Sequence, residues 1–219
     1  EGEELTLPQL HGILQRDYDG HEQLRQRILH DLPKYGNDQD DADALAKEIA
    51  EFLMEATGTC TVGPHRYVPG FFCWVKHEQL GAQTGATPDG RMAGWPFADG
   101  AGPAQGREHR GPTASVLSTT CWSHRAALGG LVYNAKFSAD LFGEASDREA
   151  VRAVIETYLR RGGFEIQVNV VSADKLREAQ QHPEQHEDLL VRVAGYSDYF
   201  VHLNKNTQDE IIARTEFGR

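Results

Sequence analysis

The sequence predicts an α/β protein, and three neighbouring features carry that expectation. Val151, Val154, Ile155, Tyr158 and Leu159 recur at i, i+3, i+4, i+7 and i+8, the spacing of one buried helix face, with Ser146 or Asp147 placed to cap it. Gly162-Gly163 then ends the helix. Phe164-Glu165-Ile166-Gln167-Val168-Asn169-Val170-Val171 follows directly as a buried strand with polar residues at every second place. Helix, tight turn and strand in this order resemble one α/β unit of a parallel barrel.

The remaining elements follow from the N-terminus. Leu5 to Leu32 reads as two short helices, with Leu24, Ile28 and Leu29 on one face of the second and Pro33 beyond it. Lys34-Tyr35-Gly36-Asn37-Asp38 turns the chain. The acidic run Asp38, Asp40, Asp41 and Asp43 lacks the glycine and terminal glutamate of a calcium loop, so it reads as an N-cap and first turn favoured by the helix dipole. The helix it opens runs through Ala56, with Leu45, Ile49, Phe52 and Leu53 expected along its buried side. Tyr67, Val68, Phe71, Phe72, Trp74 and Val75 are strand formers, and Pro64 and Pro69 predict a short, bulged strand there. Phe71, Phe72 and Trp74 taken alone would be core residues. Gly81 to Gly111 is a loop rich in glycine and proline, with a turn at Thr87-Pro88-Asp89-Gly90-Arg91. Ala114 to Cys121 starts a short helix and Ser172 to Gln181 forms another. Leu189 to Val193 is a strand leading to Gly195. Phe200 and Leu203 read as anchors, and Thr207 to Arg214 as the last helix.

Composition narrows the function classes. The 219 residues are 39% hydrophobic and 25% charged, enough for a core beneath a polar surface. A net charge of -11 without a basic patch argues against nucleic acid as a partner. No apolar run reaches the length of a membrane span and no secretory leader is recognisable, so a cytoplasmic location is expected. Cys60, Cys73 and Cys121 form neither a CxxC pair nor an even disulfide framework, and are expected to be reduced. Gly100, Gly102 and Gly106 lack the spacing and the preceding strand of a nucleotide loop. His182 and His186 lie four apart, but Pro183 points to a fresh helix start between them, so no metal is expected.

The chemistry concentrates in Val191-Arg192-Val193-Ala194-Gly195-Tyr196-Ser197-Asp198-Tyr199-Phe200 and in the ending Gln208-Asp209-Glu210-Ile211-Ile212-Ala213-Arg214-Thr215-Glu216. Both resemble the C-terminal signature of the glycyl radical enzymes, the anaerobic family that includes pyruvate formate-lyase, radical dehydratases, decarboxylases and carbon–nitrogen and carbon–sulfur lyases. The strings TPDGR, PFADG, GPTAS and Asn134-Ala135-Lys136-Phe137, and the Lys34 to Asp38 turn, are similar to the same family. Arg107, Glu108, His109 and Arg110 depart from its usual aspartate arrangement. In the family, the glycine matching Gly195 loses a Cα hydrogen and keeps an unpaired electron on the backbone. Such a radical is stabilised by delocalisation into the flanking nitrogen and carbonyl, which needs a planar Cα that a Cβ would crowd.

The resemblance implies the C-terminal part of a ten-stranded α/β barrel, with Gly195 on a loop buried within it. Residues 1–112 would then be the C-terminal part of the barrel domain, with a pocket-lining strand and the glycine-rich loop, and residues 113–219 the glycyl radical domain. His65, Arg66, Phe71, Phe72 and Cys73 would border the substrate cavity. Arg66 would suit an anionic substrate group through paired hydrogen bonds, although an ordinary surface arginine fits the sequence as well. Gly195 would be the modified and catalytic residue, with no bound cofactor and no metal. Its radical would be installed by a partner, a radical S-adenosylmethionine activase with a [4Fe-4S] cluster.

The family also uses a cysteine in a glycine-cysteine-x-glutamate loop, and Cys60, Cys73 and Cys121 all lack that context. The expectation is therefore a fragment, or the small subunit of a split enzyme whose partner carries the cysteine loop and the rest of the barrel. Alone it would be inactive. Completed, it would cleave a C–O, C–N, C–S or C–C bond in a small substrate. The other readings are a stand-alone spare part that repairs an oxygen-cleaved enzyme, and a non-catalytic interaction subunit.

Overall fold

The computed structural model describes residues 5–72, 74–214 and 216–218, arranged as two compact units. One unit comprises residues 1–32 and 76–97. Helix α1, Leu7–Gln15, starts on a full capping box, in which Thr6 and Gln9 bond each other's backbone N–H groups. Helix α2, Glu22–His30, turns Leu24, Ile28 and Leu29 inward as its spacing predicts.

The other unit comprises residues 33–75 and 98–219. Its first long element, α3, is Asp40–Thr59, with Asp40, Asp41 and Asp43 in the first turn. Its buried residues are Asp43, Ala50 and Met54, whereas Leu45, Ile49 and Phe52 are 58%, 51% and 65% exposed. The expected buried stripe is thus on the outside. At about 100° per residue the two faces lie roughly opposite each other. The side facing this unit carries Asp43, Ala50 and Met54, and the side with Leu45, Ile49 and Phe52 faces away from it.

After α3 come two short strands, β1 (Thr61–Val62) and β2 (His65–Arg66), paired as an antiparallel hairpin. The strand expected through Val75 does not form. Phe71 makes one isolated parallel bridge to Leu131, because Pro64 and Pro69 break up the run and no neighbouring strand continues alongside it. Helix α4, Lys76–Ala82, belongs to the first unit.

Helix α5 spans Gly111–Thr119 and β3 Tyr133–Phe137. Helix α6 spans Ala145–Arg160 and β4 Ile166–Val170. Helix α6 starts two to three residues earlier than the Ser146 or Asp147 cap allows, with Glu144 at the N-cap and no side-chain cap bond. Gly162 ends it in the left-handed conformation, as its position predicts. Strands β3 and β4 pair in parallel, and β7, Glu216–Phe217, adds to the other side of β3, giving the order β4-β3-β7.

Register assigns the two faces of this sheet. Tyr133, Ala135, Phe137, Ile166, Val168 and Phe217 share one face and pack with Val151, Val154, Ile155 and Tyr158 of α6. Asn134, Lys136, Gln167, Asn169 and Glu216 share the other. Gln167, Asn169 and Lys136 are buried, so the polar residues of β4 meet protein instead of water.

Above that polar face lie α7 (Ala173–Gln181), the antiparallel hairpin β5 (Leu190–Arg192) and β6 (Ser197–Tyr199), and α8 (Lys205–Ala213). Val171, Leu176, Ala179, Val191, Val193, Phe200 and Ile211 form their shared core, with Leu203 against it. Between α7 and β5, Pro183–Gln185 forms a short 3-10 turn, so His182 and His186 do not share a helix face.

Lys136 gives this polar layer a pH signature. Its ammonium donates to the Ile212 carbonyl at 3.2 Å, and burial pulls its pKa down to about 8 despite the opposing Glu216. A folded pKa below the unfolded one means that the unfolded chain holds the extra proton between about pH 8 and 10.5, so stability rises with pH across that window. Urea unfolding should show the wild type gaining on the order of 2 kcal/mol over this range relative to Lys136→Met. Parallel profiles for the two proteins would contradict the burial of the charge.

Candidate functional site

The hairpin β5–β6 presents Gly195 at its tip. Val193 N–H donates to the Tyr196 carbonyl at 2.9 Å, which closes a two-residue loop of Ala194 and Gly195. Gly195 has φ +82°, a conformation glycine adopts without penalty and a side chain resists. Val193 and Ala194 are buried while Gly195 is exposed on this chain. The expected burial of the glycine is therefore not supplied by the described residues of this chain. Leu190 and Tyr199, paired across the strands, are exposed as well.

The inner side of the hairpin is held by the sheet's polar face. Gln167 Oε1 accepts hydrogen bonds from Gly195 N–H at 3.0 Å and from Arg192 Nε at 3.1 Å. Its Nε2 donates to Glu165 Oε1 at 2.6 Å, which sets which end of the amide faces the hairpin. Asn169 grips the Arg192 backbone in both directions, each bond 2.7 Å long. Strand β4 therefore reads its neighbour through side chains at alternate positions.

A buried charge cluster completes the hold. Arg214 donates to the Arg192 and Val193 carbonyls at 3.2 and 2.7 Å. Its guanidinium is balanced by Glu210, at 3.0 and 2.9 Å, and by Asp99 at 3.5 Å. Asp99 also accepts from Asn134 Nδ2 at 2.7 Å, and Glu210 from Gln105 Nε2 at 2.9 Å. All three charged residues are buried, so each charge depends on these partners.

The remaining side of Gly195 is aromatic. A Cβ added to Gly195 would lie inside the van der Waals surface of Phe72 Cζ, so the ring occupies the place of a side chain. Trp74 stands edge-on to Phe72, with ring centres 6.3 Å apart, and 6.5 Å from Tyr196. Of the residues the sequence brings forward, Phe72 and Gly195 thus meet. Phe71 instead packs on Trp122 at 5.6 Å within the α6-side core. Arg66 is exposed in the β1–β2 hairpin and donates to the Gly58 carbonyl. Cys73 lies outside the described residues.

The other cysteines make ordinary contacts. Cys60 is exposed and bonds the Ala56 carbonyl, while Cys121 bonds that of Asp43, its thiol pushed up to about 11 chiefly by burial. Among the described residues no group of three or more His, Cys, Asp or Glu could hold a metal ion, and no helix is long and apolar enough to cross a membrane. Gln167, Asn169 and Arg214 are the site residues that the sequence reading passes over. Their signals were the alternation along β4 and the i, i+4 pair Glu210 and Arg214 in the terminal motif.

Comparison with known proteins bears on the same residues. A family described as "Glycine radical" matches residues 97–201, and one described as "Pyruvate formate lyase-like" matches residues 1–77. A probable dehydratase of Escherichia coli is 42% identical over 95% of this chain and 27% of its own length. The isethionate sulfite-lyase of Bilophila wadsworthia is 36% identical over 98% of this chain and 26% of its own. The glycerol-bound B12-independent glycerol dehydratase of Clostridium butyricum superposes with a TM-score of 0.91 at 36% identity, covering 98% of this chain and 27% of that one. Hydroxyproline dehydratase of Clostridioides difficile gives 0.92 at 34% identity, covering 98% and 27%. The chain thus spans about a quarter of the length of the relatives it matches. It belongs to the glycyl radical enzyme family, whose C-terminal α/β barrel portion it forms.

Proposed function

We propose that this chain supplies the radical-bearing glycine of an anaerobic enzyme that cleaves a C–O, C–N, C–S or C–C bond in a small substrate. Gly195 carries the spin, and the thiyl cysteine comes from a segment or partner chain beyond these residues. The observation that carries this reading is the setting of Gly195. Its N–H is held by Gln167, its Cβ direction is filled by Phe72, and it is exposed among the described residues. A Cα without a side chain, fixed from below and approachable from above, suits hydrogen-atom exchange with a thiol, which requires near-contact of the two centres.

Activation would use a radical S-adenosylmethionine enzyme. One electron from its [4Fe-4S] cluster cleaves S-adenosylmethionine into methionine and a 5′-deoxyadenosyl radical. That radical takes one hydrogen atom from Gly195 Cα, giving 5′-deoxyadenosine and the glycyl radical. The names of the relatives, dehydratases and lyases, favour carbon–heteroatom cleavage. Anaerobic activation should give an electron paramagnetic resonance doublet from the single remaining α-hydrogen. A chain that binds the activase yet stays silent would point to the interaction subunit instead.

The outward face of α3 supports a large partner over a stand-alone spare part. Leu45, Ile49 and Phe52 form an apolar stripe along α3 that remains more than half exposed on this chain, whereas such a stripe ordinarily faces a core. The occupant proposed for that face is the remainder of the barrel. Burying three half-exposed side chains is worth roughly 3 kcal/mol, or about 100-fold in affinity. Changing all three to serine should weaken association with the cysteine-bearing chain by about that factor and leave this chain's melting temperature nearly unchanged. Full association in the triple variant would count against the split arrangement.

A further inference from the structure

We propose that Gln167 is a positioning residue for the spin-bearing centre, setting the electronic environment of Gly195 as well as its place. The inference rests on the reading of Gly195 as the radical site. Two donors, Gly195 N–H and Arg192 Nε–H, converge on Gln167 Oε1, while its Nε2 is occupied by Glu165. The amide is buried, so water does not compete for the oxygen.

A backbone Cα radical draws electron density from the nitrogen beside it. An acceptor on that N–H increases the density the nitrogen can give and fixes the plane in which it overlaps the half-filled orbital. Asn169 and Arg214 hold the backbone of Arg192 and Val193. They place the hairpin, whereas Gln167 touches the glycine itself. Part of the radical's stability is thereby assigned to a strand 28 residues upstream.

The test compares the full chain, anaerobically activated by a radical S-adenosylmethionine activase, with its Gln167→Leu, Gln167→Asn, Gln167→Glu and Asn169→Ala variants by electron paramagnetic resonance. Gln167→Leu and Gln167→Asn, which remove or withdraw the acceptor, should lower the spin yield roughly fivefold, the equilibrium worth of one hydrogen bond, and change the doublet splitting. Gln167→Glu, made together with Glu165→Gln so that two carboxylates do not face each other, keeps an acceptor and should restore most of the yield. Asn169→Ala should lower the melting temperature without changing the splitting. Wild-type yield, splitting and decay in either Gln167→Leu or Gln167→Asn would overturn the inference. So would Gln167 variants that lose yield only in step with Asn169→Ala, at constant splitting. A silent wild type would instead defeat the reading of Gly195 and this inference with it, an outcome distinct from a doublet that ignores Gln167.

Discussion

Gly195→Ala is expected to abolish the radical signal completely and to destabilise the hairpin. Two physical costs act together. Alanine at φ +82° costs about 1–2 kcal/mol because its Cβ meets the neighbouring carbonyl. The same Cβ points into the Phe72 ring, which must move or be compressed. Combining Gly195→Ala with Phe72→Ala separates these costs from the chemistry. The double variant should recover the part of the melting temperature lost to the ring contact, while the spin signal stays absent. A wild-type doublet in Gly195→Ala would assign the spin to another residue.

Arg214→Met should be the most destabilising single change at the site, by about 3–5 kcal/mol. The guanidinium offsets the buried carboxylates of Glu210 and Asp99 and also holds the two carbonyls that precede the hairpin tip. Its loss removes that offset from a buried layer and frees the end of β5. Arg214→Met combined with Glu210→Met should recover part of the loss, since an apolar pair is cheaper there than a carboxylate stripped of its guanidinium. Urea unfolding of the three proteins measures this directly. A change under about 0.5 kcal/mol in Arg214→Met would place the cluster at a solvated surface.

The sequence revealed this site unevenly. Periodicity was enough for Val151, Val154, Ile155 and Tyr158 of α6 and for its glycine stop, because one face of that helix meets one core within this unit, while Leu159 at the edge of the expected stripe is half exposed. It misplaced α3, where Leu45, Ile49 and Phe52 are spaced as a buried face but lie opposite the face this unit covers. A hydrophobic pattern records that a face is covered without saying by which part of the protein. Strand-forming composition from Tyr67 to Val75 was likewise insufficient, since the described residues of that run make only the isolated bridge of Phe71 to Leu131.

The Gly195 loop was legible because the residues around it form a recognisable string, and the left-handed backbone at its tip suits a glycine. Gln167 and Asn169 were harder to see. Alternation in β4 fixes which residues share a face, but only the register against β3 and the hairpin above shows that the polar face is the inner one. Phe72 lies against Gly195, while the adjacent Phe71 turned into the core. Neighbouring aromatics in an irregular segment give no parity signal from which to assign their directions.

The most direct measurement is the electron paramagnetic resonance spectrum of the anaerobically activated protein, prepared once with ordinary glycine and once with glycine deuterated at Cα. The account predicts a doublet that collapses to a narrow single line on deuteration and is missing from Gly195→Ala prepared in parallel. A signal indifferent to the deuterium, or no signal despite turnover of S-adenosylmethionine by the bound activase, would contradict a spin held at Gly195.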